Sequence, residues 1–140
     1  MITIRAWSRT FAACALLPLA SPVFAAGDPE KGAQRYRVCA GCHSLEPGRQ
    51  SAGPSLARIF GRKAGTVEGF TRYSKALEQS KIVWDEKTLD AWIKNPDALI
   101  PDNFMPFPGI SDPSVRADLV AFLKYVSAKS GAASGRPASE

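Results

Sequence analysis

The chain has 140 residues, 45% hydrophobic and 22% charged, with a formal net charge of +5. That is one ordinary core and too little for two, which excludes a large multidomain enzyme, a fibrous protein and wholesale disorder. The surplus charge is small and the basic residues are interspersed with acids, so nucleic acid is not expected as the main partner.

The N-terminus carries Arg5 and Arg9 and no acid, then an apolar run from Phe11 to Ala20, then Ser21-Pro22-Val23-Phe24-Ala25. This pattern predicts a secretory signal over residues 1–25, cleaved after Ala25. The run is shorter than the roughly 20 apolar residues a bilayer span needs, so no stable membrane insertion is expected. Cys14 leaves with the signal, and losing two arginines leaves 16 bases against 13 acids, a net +3.

Residues 26–129 read as the folded domain. Asp28-Pro29-Glu30 opens a first helix, with an acidic cap, a proline in the first turn and a charge that complements the helix dipole. Ala33, Tyr36 and Ala40 are expected on its inner side. Between Cys42 and Gly69 the density of Gly and Pro predicts a long loop layer. Ser74 caps a short helix to about Ser80, and Asp85 caps another to about Lys94, stopped by Asn95-Pro96. Residues 96–113 hold five prolines and predict a stiff, extended loop. Asp112-Pro113 starts the last helix, where Val115, Leu119, Phe122, Leu123 and Val126 recur at spacings of three and four and predict a buried face. After Ser127 the periodicity stops, and residues 130–140 read as a flexible tail. No strand pattern or internal repeat is visible. The fold class is therefore all-α, with three to five short helices. Loops this long need more core than those helices supply, so something else must fill the middle.

Cys39-Ala40-Gly41-Cys42-His43 is the C-x-x-C-H attachment sequence of a c-type haem. Two thiols three positions apart can form thioether bonds to the two vinyl groups on one porphyrin edge, and the next residue brings an imidazole to the iron. His43 is the sole histidine, and Cys39 and Cys42 are the cysteines left after export. The alternatives fit poorly. A thioredoxin-like dithiol should adjoin a βαβ pattern, zinc needs further Cys or His ligands, and a plain disulfide leaves the missing core unexplained. With no second imidazole and no spare thiolate, a soft sixth ligand must be a methionine, and Met105 is the one that remains after Met1. His plus Met ligation raises the reduction potential and leaves no vacancy for substrate, so electron transfer is expected rather than ligand activation.

At this point the sequence resembles the class I c-type cytochromes, specifically mitochondrial cytochrome c and its short bacterial relatives, from about Gly27 to Lys129. Gly32 and Tyr36 are similar to the Gly and aromatic of the family's N-terminal helix, which crosses the C-terminal helix at Leu119 and Phe122. Gly53-Pro54-Ser55-Leu56 resembles Gly-Pro-x-Leu, and Phe60-Gly61-Arg62-Lys63 matches Phe-Gly-Arg-Lys. Asn95-Pro96, Ile100-Pro101 and Met105 follow the spacing to the axial methionine.

The resemblance implies a cytochrome c fold wrapped around one haem c. It implies that the Pro54 carbonyl supports the histidine and that Arg62, Tyr73 and Trp84 meet the propionates. A solvated loop charge for Arg62 and plain core packing for Trp84 and Trp92 stay open as readings of those residues. Trp92 stands where the family usually has Tyr, and Phe104 where it usually has Lys, which removes one docking charge. The implied function is a monomeric periplasmic carrier in a respiratory or related chain. Its electron-donor and electron-acceptor proteins would have acidic or mixed docking surfaces, steered by lysines such as Lys31, Lys63, Lys75 and Lys94. A haem enzyme or gas sensor with a labile Met105, and a subunit held by one dehydrogenase or oxidase, are the competing readings.

Overall fold

The computed structural model describes residues 26–133; the signal segment, Cys14 and residues 134–140 lie outside the described residues. Six helical segments follow in order: α1 Pro29–Arg35, α2 Arg37–Ala40, α3 Lys75–Gln79, α4 Glu86–Lys94, α5 Pro96–Leu99 and α6 Pro113–Ala133. Among the described residues the sole β pairing is an isolated bridge between Lys63 and Val83. No helix among them is long and apolar enough to cross a membrane.

The helix starts follow the side chains that can cap them. The Asp28 carboxylate accepts from the N–H groups of Glu30 and Lys31, and the Ser74 hydroxyl accepts from Leu77. Asp85 and Thr88 form a reciprocal capping box, and Asp112 accepts from Ser114 at 2.8 Å. Each partner satisfies backbone donors that the first helical turn leaves unpaired.

Four details differ from the sequence expectation. Asn95 both ends α4 and caps α5, accepting from the N–H of Ala98 at 3.1 Å, so the expected extended stretch begins with one helical turn. The last helix continues to Ala133, four residues into the segment expected to be a flexible tail, because Ser and Ala at an exposed helix end need no apolar partner to extend an existing ladder. The first helix is tightened at Tyr36, whose carbonyl accepts from both Cys39 at 2.8 Å and Ala40 at 3.0 Å. Finally, Ala33 and Ala40 face outward, and the inner side of this helix is Gly32 and Tyr36.

That inner side crosses α6. A Cβ on Gly32 would stand 2.0 Å from the Asp118 carbonyl oxygen and 2.6 Å from the Phe122 Cβ, so only glycine permits so close a backbone approach. One turn on, the rings of Tyr36 and Phe122 meet with centroids 5.5 Å apart. Leu119, Val120 and Leu123 of α6 then join Leu89 and Ile93 of α4, with Trp84 and Ile59, in one core cluster. Arg116 is buried and ties α6 to its surroundings: its Nε donates to Asp90 at 2.7 Å, and its Nη1 donates to the carbonyls of Ile110 and Ser111. The loops at 42–73 and 100–112 close around this framework and enclose an apolar cavity of about 450 Å³.

Candidate haem site

The cavity lies in the size range of cofactor sites, roughly 300–1,000 Å³. Its walls bring together Cys39, Cys42, His43, Pro54, Arg62, Tyr73, Trp84 and Met105 from four separate parts of the chain.

The lower wall is built by local backbone bonding. His43 N–H donates to the Cys39 carbonyl at 2.9 Å, folding the C-x-x-C-H segment into a turn, while Gly53 donates to Cys42 at 2.7 Å and Leu56 to Ser44 at 2.9 Å. These bonds zip residues 53–56 alongside residues 42–44. The His43 Nδ1 then lies 2.7 Å from the Pro54 carbonyl oxygen. A carbonyl can only accept, so the proton is on Nδ1 and the Nε2 lone pair is free for a metal. The Tyr36 hydroxyl donates to the His43 carbonyl at 2.8 Å, and burial pushes that phenol up to about 12.

Burial holds the His43 imidazole below its ordinary value, opposed by the bond to Pro54. The folded chain therefore binds this proton more weakly than the unfolded chain does.

Gly53 was read from sequence only as part of a Gly-Pro motif, yet the structure gives it a specific task. A Cβ there would stand 2.4 Å from His43 Cε1 and 2.7 Å from Nδ1. Gly53→Ala is therefore expected to displace the imidazole or the loop and to cost about 1–3 kcal/mol, the range for overpacking a filled site. Thermal unfolding of the haem-loaded protein measures it.

Met105 lines the same cavity from the 100–112 loop. Its N–H donates to Asn103 Oδ1 at 3.0 Å. The Asn103 amide in turn donates to the Ile100 carbonyl at 3.0 Å and to Asp97 Oδ1 at 2.7 Å. Asn103 thus braces the methionine loop, a role that sequence reasoning did not assign; an Asn two residues before the candidate ligand was the available signal, since Asx side chains commonly bond the backbone two residues on.

Arg62, Tyr73 and Trp84 form a third wall. The Arg62 guanidinium donates to the carbonyls of Ala57 at 2.9 Å and Ser55 at 3.0 Å, so it is a held, half-buried cation rather than a solvated one. Burial holds its pKa below the ordinary value, though a guanidinium stays charged at any physiological pH. The Tyr73 hydroxyl accepts from the Val67 N–H at 3.3 Å. Trp84 packs against Trp92 with ring centroids 5.4 Å apart, and both rings line the cavity. Of the lysines considered as steering charges, Lys63 lines the cavity, whereas Lys31, Lys75 and Lys94 do not.

The donor chemistry fits a covalent haem. Cys39 and Cys42 are free thiols, and the described residues hold no group of three or more His, Cys, Asp or Glu placed to hold a metal ion. Two thiols, one oriented imidazole, one thioether and an apolar hollow define a c-type haem protein.

Comparison with known proteins agrees. The family model described as Cytochrome c matches residues 29–127. The cytochrome c2 of Rhodomicrobium vannielii is 42% identical over 110 residues, covering 78% of this chain and 87% of that protein. Cytochrome c of Chlamydomonas reinhardtii is 42% identical over 105 residues, covering 74% and 93%. Among solved structures, cytochrome cH from Methylobacterium extorquens superposes with a TM-score of 0.66 at 36% identity, covering 71% of this chain and 99% of that one. The chain belongs to the cytochrome c family. It is accordingly an electron carrier rather than an enzyme, with the cytochrome c fold and one haem c attached through Cys39 and Cys42.

Proposed function

We propose that the protein is a monomeric periplasmic carrier of single electrons in a respiratory or related chain, with the haem iron held between His43 and Met105. The observation that carries this reading is the convergence on one cavity of the sole imidazole and the sole thioether of the described chain, together with both thiols. Bound there, the haem supplies a one-electron Fe(III)/Fe(II) couple. The remaining work falls to the polypeptide. Pro54 fixes the tautomer of His43 so that the Nε2 lone pair is left for a metal, Tyr36 anchors the carbonyl of the same residue, and Asn103 positions the Met105 backbone. Were His43 and Met105 both to hold the iron, the site would offer no position to oxygen, peroxide or substrate.

Arg62, Tyr73 and Trp84 are assigned to the haem carboxylates. Arg62 contributes a fixed positive charge that offsets theirs in surroundings of low polarity, where unpaired charge is costly. Residues 1–25 are assigned as the export signal and residues 26–129 as the carrier domain, with α6 continuing a further turn to Ala133. Donor and acceptor proteins are expected to approach at the mouth of the cavity.

The test is a reduced-minus-oxidised spectrum of periplasmic material with a redox titration. The expected result is a c-type haem of positive potential whose ferric form shows the red-edge Met–iron band at neutral pH. Absence of that band, together with rapid carbon monoxide binding to the reduced form, would overturn the Met105 assignment.

A further inference from the structure

The bond that fixes the His43 tautomer ends on a peptide group, and that group has a second polar end. His43 Nδ1 donates to the Pro54 carbonyl at 2.7 Å, and the N–H of the same peptide unit, carried by Ser55, donates to Gln50 Oε1 at 2.9 Å. Gln50 thus stands one peptide away from the imidazole. Its own amide donates to the Glu68 carbonyl at 3.0 Å. A peptide N–H can only donate and a carbonyl can only accept, so one orientation of the Gln50 side chain satisfies both partners, oxygen toward Ser55 and nitrogen toward Glu68.

Other bonds hold the Pro54–Ser55 peptide in place. Leu56 N–H donates to the Ser44 carbonyl at 2.9 Å and Ser51 N–H to the Gly53 carbonyl at 3.1 Å. The Ser55 hydroxyl donates to the Glu46 carbonyl at 2.8 Å, and the Ser55 carbonyl accepts from Arg62 at 3.0 Å. Ser55 is 2% exposed, so solvent does not replace Gln50 as the acceptor of its N–H. Gln50 itself does not line the cavity, and whatever it does there passes through this peptide. An acceptor on the N–H shifts electron density onto the carbonyl oxygen of the same unit, and hydrogen bonds linked in a chain strengthen one another by roughly 10–30% each.

We infer that Gln50 is a positioning residue that lowers the reduction potential of the bound haem, acting on His43 through the Pro54–Ser55 peptide; this rests on the reading of His43 as an iron ligand. By accepting from Ser55, Gln50 makes the Pro54 carbonyl a stronger acceptor. That carbonyl draws the Nδ1 proton harder and leaves Nε2 the more basic donor. A more basic imidazole favours the ferric over the ferrous state.

The test compares the holoprotein with Gln50→Met and Gln50→Glu. Both substitutions lose the donor to Glu68, so any loosening of the loops is common to them. They differ toward Ser55, where a thioether is a weak acceptor and a carboxylate a strong one. Potentials are titrated at neutral pH in about 1 M salt, where a screening length of about 3 Å suppresses the through-space effect of an added charge. Gln50→Met is expected to favour the reduced form about threefold, which is about 30 mV at 59 mV per factor of ten, and Gln50→Glu to favour the oxidised form by a similar factor. Threefold is less than the about 10–100-fold in affinity or activity that follows loss of a group bonded directly to a metal ligand, because Gln50 lies one bond further out. Nuclear magnetic resonance of the reduced, isotope-labelled protein reads the bond itself: the His43 Nδ1–H signal is expected to move upfield in Gln50→Met and downfield in Gln50→Glu.

Potentials that shift in the same direction in both variants, or an Nδ1–H signal that stays in place in both, would make Gln50 a mere tie between loops and overturn the inference. His43 ring protons without the large upfield displacement that a porphyrin imposes on an axial ligand would instead overturn the ligation on which the inference stands.

Discussion

Replacing Met105 by Ala is expected to lower the reduction potential by about 0.1 V or more, a modest part of the about 0.8 V that axial ligation can span, and to open the iron to carbon monoxide or cyanide. A thioether is a soft, neutral donor that favours the reduced metal, and no second methionine or histidine in the described chain can take its place. At 59 mV per factor of ten for a one-electron couple, the change corresponds to about 50-fold or more in the redox equilibrium. The substitution also removes half-buried packing, for which about 2–5 kcal/mol is typical at a fully buried site. A potentiometric titration reads the ligand effect and a thermal melt reads the packing effect, so the two separate. An unchanged spectrum and potential would take Met105 off the iron.

The second large effect concerns folding. A chain carrying Cys39→Ser and Cys42→Ser, produced without haem attachment, is expected to show no cooperative thermal transition. A cavity of about 450 Å³ at about 24 cal/mol per Å³ corresponds to about 11 kcal/mol, which rivals the whole stability of an ordinary domain, about 5–15 kcal/mol. Moreover, the side chains that would have to close over the hollow, among them Trp84, Trp92, Leu56 and Phe107, are held apart by backbone-bonded loops. Circular dichroism would show residual helix in α1, α4 and α6 without fixed packing. A sharp transition in the haem-free variant would mean that the polypeptide core is self-sufficient, contrary to the sequence expectation that something else fills the middle.

Much of the helical framework was legible because its signals are local. Asp28, Ser74, Asp85 and Asp112 each cap a helix through bonds spanning two or three residues, and the three-and-four spacing of Leu119 and Leu123 needs only the helical period to be read. The misplaced details have a common origin. Asn95-Pro96 looks like a terminator by local rules, but the same Asn can cap the next turn, and sequence does not say which use prevails. Ala33 and Ala40 fit a periodic stripe as well as Gly32 and Tyr36 do, and the choice between them is made by α6, whose Asp118 carbonyl and Phe122 side chain can approach only over a glycine.

The same division runs through the site. Cys39, Cys42 and His43 announce themselves by spacing alone, and Met105 follows by elimination, because chemistry restricts which residue types can hold a porphyrin iron and the chain has so few of them. No local pattern revealed that Gly53 must lack a side chain for His43 to lie so close to it, that Asn103 braces Met105, or that Lys63 lines the cavity while Lys31, Lys75 and Lys94 do not. By itself, then, the sequence determined the cofactor, the helix starts and the ligand candidates, since each depends on residue identity over a few positions. Tertiary structure alone decided the orientation of the imidazole and the closure of the cavity. Those depend on contacts between segments that are far apart along the chain, and only the packed fold brings such segments together.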